Sequence, residues 1–242
     1  MKQRPLIGLL AIGLALLPFV GRAEGTAPTV VELFTSQGCS SCPPADALLG
    51  RLAEDPAIVA LSFHVTYWDR LGWPDPHATA WGTDRQRAYA RRLELEYVYT
   101  PQMVVDGVRD VVGSREGEVR AAIETSRARG ATRVPLGLTR IGGTLRLTLP
   151  ARAVAADAPH LWLLSLSPRE SNPVARGENA GRRLSHVNVV RSLRDLGPWD
   201  GRATVLDIAL DPGEAAGRLA VLLQGRDRGG APGPILGAAL VD

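Results

Sequence analysis

Two cysteines carry the most distinctive chemistry in this 242-residue chain, and they are the only two it contains: Cys39-Ser40-Ser41-Cys42. A gap of two residues lets both sulfurs approach disulfide distance across one turn of backbone. Pro43 and Pro44 follow directly. Neither can donate an intrahelical hydrogen bond, so both belong in a first helical turn, and a helix is expected to start at or just after Cys39. Unpaired N–H groups and the positive end of the helix dipole would there favour the Cys39 thiolate. Three uses of the pair are open. In thiol–disulfide exchange, Cys39 attacks and Cys42 resolves the mixed disulfide. As a structural bridge the pair is a weak staple, because so small a loop removes little entropy from the unfolded chain. As a metal site it needs outside ligands, with Cys39, Cys42 and His64 the leading set and His77 and Met103 further candidates. None of these has diagnostic spacing, and exchange is the favoured reading.

The flanking segments must position that pair. Val30, Val31, Leu33 and Phe34 form a β-rich run before it, and Ala45, Leu48, Leu49 and Leu52 recur at helical spacing after it. Ile58 to Val65 reads as a buried strand, and Tyr67 to Pro76 as a loop bearing Trp68 and Trp73. Ala80 to Leu95 has helical composition. Asp106-Gly107, between Val104-Val105 and Val108 to Val112, signals a tight hairpin. Ser114 followed by Glu116 to Arg129 predicts a capped helix ending at Gly130. The predicted order is β-α-β-α-β-β-α over residues 28–130.

From 131 to 242 the pattern changes. Leu136, Leu138, Leu145, Leu147 and Leu149 alternate about Gly142-Gly143, and His160–Ser167, Thr204–Leu210, Arg218–Gln224 and Ile235–Val241 are further candidate strands. These predict a mainly antiparallel β subdomain packed on the first half.

The N-terminus reads as a targeting segment over residues 1–23. Lys2 and Arg4 precede the apolar stretch Leu6 to Val20, and Gly21-Arg22-Ala23 supplies small residues for cleavage. Roughly 15 apolar residues fall short of the roughly 20 that span a bilayer, so membrane contact is expected only through this segment if it stays uncleaved. A periplasmic or secreted location follows, where a disulfide can persist. The net charge of +3 comes from scattered arginines, with no basic run interleaved with aromatics, which argues against nucleic acid as a partner.

With these segments in place, strand, Cys-x-x-Cys, helix, strand, and then Thr100-Pro101 before a hairpin and a last helix resembles the thioredoxin fold over roughly residues 28–130. The resemblance implies a cis peptide bond before Pro101, with the Thr100 backbone pairing to a bound substrate chain. Taken without it, Pro101 reads equally well as an ordinary turn proline. More narrowly, Glu32 to Asp46, His64 to Asp69, Tyr99 to Gln102, and Gly177 to Gly181 through His186 to Val190 resemble a bacterial family of exported thioredoxin-like proteins without an assigned function. The family implies an α/β, thioredoxin-like fold with an added antiparallel β C-terminal subdomain. Gly38-Cys39-Ser40-Ser41-Cys42 replaces the Trp-Cys-Gly-Pro-Cys of the better-known thioredoxins, so neither redox potential nor partner choice carries over.

Several other residues have competing readings. His64, in an apolar run, is either a satisfied core histidine or a group tuning the thiolate. Glu32 reads as an exposed strand-end carboxylate before a buried proton acceptor for Cys42, and Asp46 as a helix-dipole partner. Trp68 is a candidate substrate-binding residue beside Thr100, and Trp73 a lining or plugging aromatic. The Gly177 to Asn188 segment is a polar loop or a cover over the cysteines. The expected function is an exported oxidoreductase of protein or peptide thiols, with no cofactor beyond its own dithiol. A copper-handling protein and a redox-silent partner-binding scaffold are the alternatives.

Overall fold

The computed structural model describes residues 27–128, 133–153, 159–227 and 229–242. The targeting segment predicted over residues 1–23 lies outside these, as does the helix stop at Gly130. No helix among the described residues is long and apolar enough to cross a membrane.

The protein is mixed α/β, with one eight-stranded mixed sheet and a second, three-stranded antiparallel sheet. β1 (Thr29–Thr35) and β2 (Ile58–His64) are buried at every position, which is why they read as mainly apolar runs, interrupted by Glu32 and Ser62, rather than alternating ones. They pair in parallel, from Thr29 opposite Ile58 to Thr35 opposite His64. Between them lies α1 (Pro43–Leu52). β3 (Gln102–Val105) pairs antiparallel with β1 and forms a hairpin with β4 (Arg109–Val112). Asp106 and Gly107 at its tip have φ of 47° and 66°, the left-handed pair that such a turn requires.

Each face of this sheet has its own core. Val31, Leu33, Met103 and Val105 pack against Leu48 and Leu49 of α1 and against Val119 and Ile123 of α3 (Glu116–Arg127). Val30, Phe34, Leu61, Phe63 and Val104 pack on the other side with Tyr89 of α2 (Ala80–Arg92). The cap of α3 is not Ser114: Arg115 takes the N-cap position with no side-chain hydrogen bond, and Glu116 and Glu118 supply first-turn negative charge instead.

The second half continues the same sheet. β7 (His160–Pro173) and β8 (Arg183–Pro198) form a long hairpin, and β8 joins β2 in parallel where Ser62 faces Val189. Asn188 sits at φ 46° just before that contact and donates from Nδ2 to the Ala60 carbonyl at 2.9 Å. β10 (Arg218–Arg226) and β11 (Pro232–Val241) extend the far edge, giving the order β11-β10-β7-β8-β2-β1-β3-β4. β5 (Gly137–Ile141), β6 (Thr144–Leu149) and β9 (Thr204–Ala209) make the smaller sheet. Leu145, Leu147 and Leu149, the alternating residues of β6, face Leu161, Leu163, Val221 and Leu223 in a third core. A short α4 (Pro212–Ala216), closed by an Asp211–Glu214 capping box, precedes β10.

Candidate functional site

β1 delivers the chain to a tight turn. Cys39 N–H donates to the Ser36 carbonyl at 3.1 Å, and Cys42 N–H to the Cys39 carbonyl at 3.2 Å. α1 begins only at Pro43, with Cys42 as its N-cap, three residues after Cys39. The two prolines take the first helical positions, where their missing N–H groups cost nothing, and this leaves Cys39 in a separate turn leading into the helix. Cys39 and Cys42 form a disulfide with Cα atoms 5.4 Å apart, and both residues are completely buried.

A segment from far along the chain is hydrogen-bonded to the backbone of this turn. The tip of the β7–β8 hairpin, residues 174–182, folds over the turn. Asn179 is fully buried and donates from Nδ2 to the carbonyls of Gln37 and Cys39, both at 2.9 Å, while Arg182 holds its Oδ1 at 2.9 Å. Glu178 accepts from the Ser40 N–H at 3.0 Å. Hydrogen bonds from the Ser40 hydroxyl and then its backbone hold the Glu178 carboxyl below its usual range. The Gly177 to Asn188 segment is thus a loop leading into a strand, β8 starting at Arg183, and its loop part is bonded onto the cysteine turn.

Trp68 and Thr100 meet on another side of the turn. Trp68 lies in a 3-10 helix (Thr66–Leu71), and Gly38 is pressed so closely on it that an added Cβ would come 3.2 Å from the Trp68 Cβ. The indole donates to Thr100 Oγ1 at 2.8 Å. The Thr100–Pro101 bond is cis, and β3 begins one residue later, with Gln102 opposite Phe34 of β1.

Behind the turn lies a buried group of three of the chain's four histidines. His64, His77 and His186 have ring centroids 4.6–5.9 Å apart. Asp75 organises them. Its Oδ2 accepts from His64 Nδ1 at 2.7 Å and from the Gln37 N–H at 2.8 Å, and its Oδ1 from the His77 N–H at 2.9 Å. Burial pushes the Asp75 carboxyl up, but these hydrogen bonds, that from His64 first, outweigh it and hold the pKa at about 2. Burial lowers the His77 imidazole, against the pull of Asn172. Burial also opposes charge on His186, but its contact with Asp46, 3.4 Å from Nδ1, raises it overall. Gln37 ties this group to the cysteine turn: its amide meets His186 Nε2 at 3.3 Å, and its Oε1 accepts from Trp73 Nε1 at 3.1 Å.

Two expectations are corrected. Glu32 is not an exposed strand end; it is fully buried on the α2 side of the sheet, away from α1. Its carboxylate is taken by Arg85 Nε at 2.6 Å and by the Tyr89 hydroxyl, so it is no proton acceptor for Cys42 either. The alternative metal set of Cys39, Cys42 and His64 is not assembled. The two sulfurs bond each other, His64 Nδ1 is committed to Asp75, and Met103 is packed in the apolar core under α1. Among the described residues no group of three His, Cys, Asp or Glu side chains could hold a metal ion.

Asp46 is buried in the first turn of α1, accepting from Thr35 Oγ1 at 3.3 Å and facing His186. Gln37, Asp75 and Asn172 escape sequence reasoning altogether. Only the Pro74-Asp75-Pro76-His77 run, with an acid and an imidazole inside a proline-fixed loop, offers a signal.

Residues 30–224 match the family model described as "Protein of unknown function (DUF1223)". The chain is also similar to the X-ray crystal structure of protein AGR_C_4864 from Agrobacterium tumefaciens, at 30% identity and a TM-score of 0.78, over 90% of this chain and 96% of that one. No curated protein matches it.

Proposed function

The chain belongs to the DUF1223 family, and we propose that it is an exported thiol–disulfide oxidoreductase with a thioredoxin-like core, acting on protein or peptide thiols through Cys39 and Cys42. The observation that carries this reading is the Cys39–Cys42 bridge at the point where β1 turns into the N-terminus of α1. A bridge there contributes little as a staple, whereas the positive end of the α1 dipole, with Cys42 at its N-cap, favours a thiolate leaving group. The strand order β2-β1-β3-β4, with β1 and β2 parallel and β3 antiparallel to β1, supports the thioredoxin-like reading. So does the cis Thr100–Pro101 bond at the entry to β3.

In this reading a partner thiolate attacks the Cys39–Cys42 disulfide and forms a mixed disulfide with Cys39, releasing Cys42. The second partner thiol then displaces Cys39 and leaves with the partner's new disulfide; the reverse sequence reduces a partner disulfide. Thr100 would pair with the partner's backbone, with Trp68 fixing the Thr100 side chain from behind. Both cysteines are buried, so exchange requires the turn to open, and the hairpin tip bearing Glu178 and Asn179, bonded to the backbone of Gln37, Cys39 and Ser40, is the segment proposed to move.

Trapping tests the proposal. With Cys42→Ala, Cys39 is expected to accumulate mixed disulfides with exported proteins, released by reductant. If Cys42→Ala traps no more partner than a Cys39→Ala control, the reading is overturned.

A further inference from the structure

Resting on the exchange reading above, we propose that His64, oriented by Asp75, is a positioning residue that holds a proton for the cysteine site: it binds one when the Cys39–Cys42 disulfide is reduced and releases it when the disulfide re-forms. The case starts from hydrogen-bond accounting in the histidine group. A carboxylate can only accept, so His64 Nδ1 carries the proton it donates to Asp75. The other ring nitrogen, Nε2, is buried and has no hydrogen-bond partner. A second proton can be added there without breaking any bond now made.

The neighbouring rings are differently placed. His77 Nε2 meets Asn172 Oδ1 at 2.8 Å, and its Nδ1 meets the Arg191 guanidinium, a pure donor, at 2.9 Å. A proton on Nδ1 would set two donors against each other. His186 Nε2 faces the Gln37 amide nitrogen, whose orientation is set by Trp73 donating to the amide oxygen. Protonation there means displacing Gln37. His64 is thus the ring that gains a proton without losing a hydrogen bond, and the charge it gains sits beside the Asp75 carboxylate in a buried site.

The link to the sulfurs runs through one carboxylate oxygen. Asp75 Oδ2 binds His64 Nδ1 and also the N–H of Gln37, two residues before Cys39. Charge created on Cys39 by reduction therefore arises two residues along the chain from the N–H that Asp75 holds, on a buried residue where charges are weakly screened. The balance is complete. A partner dithiol gives up two electrons and two protons as its own disulfide forms. Cys42 leaves as a thiol with one proton, Cys39 remains a thiolate, and His64 takes the second proton. The charged and titratable groups facing this site are Asp69 of the 3-10 helix, Asp75 and His77 from the loop before α2, Asp46 of α1, His186 and Arg191 of β8, and Glu170 of β7.

The test is the equilibrium of the full chain with a reference dithiol, dithiothreitol, across about pH 6 to 8, the interval in which histidine titrates. In the wild type the reduced protein and the reference both carry two protons, so the equilibrium constant is expected to stay nearly flat. In His64→Gln only one proton is held, and reduction should become about tenfold more favourable per pH unit. Equal slopes in the two proteins overturn the proposal. An NMR titration of the histidine Cε1–H signals in oxidised and reduced wild-type protein covers the case in which the variant does not fold. His64 is expected to titrate higher in the reduced form; an unchanged His64, or a shift confined to His186, overturns it. Failure of the exchange reading has a different signature, the absence of trapped partners with normal slopes.

Discussion

The side chain of Asn179 donates a hydrogen bond to the carbonyl oxygen of Cys39, 140 residues before it, at 2.9 Å. A second bond from the same nitrogen reaches the Gln37 carbonyl, so one buried amide pins the hairpin tip to the cysteine turn. Asn179→Ala should therefore loosen the cover. Losing two bonds worth about 1 kcal/mol each predicts about 30-fold faster reduction of the oxidised protein by dithiothreitol. The check is the reduction rate followed by alkylation and mass spectrometry, with the urea midpoint as control. An unchanged rate would mean that the tip does not control access.

The disulfide itself should matter little for stability. By the loop-closure relation a bridge spanning so few residues contributes about 2 kcal/mol. Cys39→Ala/Cys42→Ala is expected to stay folded, with its urea unfolding free energy lowered by no more than about that amount. A far larger loss would assign the bridge a structural role.

Removing the partner of Glu32 should have the opposite profile. Arg85→Met leaves a buried carboxylate with Tyr89 as its remaining partner on that side, and buried pairs broken this way typically cost about 3–5 kcal/mol. Denaturant unfolding should show that loss. The intrinsic reactivity of the cysteine pair, measured on the still-folded fraction, should be unaltered, because Glu32 lies on the other face of the sheet from α1.

Asp75 sets a pH dependence. Its pKa falls from 3.8 to about 2 on folding, so it adds stability that is fully present above pH 3.8 and is lost as the pH falls toward 2. The size is about 2 kcal/mol, one pKa unit being about 1.4 kcal/mol. Urea midpoints measured from about pH 5 down to about pH 2 should show this fall in the wild type. Asp75→Asn should lack that component and should be less stable throughout the neutral range.

Local sequence was sufficient for the elements around the cysteines and for the turn that joins them. Short, mainly apolar runs marked β1 and β2, Pro43-Pro44 marked the start of a helix, and Asp106-Gly107 marked a hairpin, because each depends on a few adjacent residues. The alternating leucines of β6 likewise identified the inward face of the small sheet. Tertiary structure alone decided the rest. Glu32 reads as a surface carboxylate until Arg85 and Tyr89 of α2 are brought against it, and nothing within a few residues of it announces that partner. β8 joining β2 at Val189 merges the two halves into one sheet and carries His186 and the Asn179 tip onto the cysteine site. Those contacts span more than a hundred residues, and they follow from strand register and sheet order, which no local pattern encodes. The cysteine pair was therefore legible as chemistry from its spacing, while its cover and its buried His64–Asp75 neighbour came only with the fold.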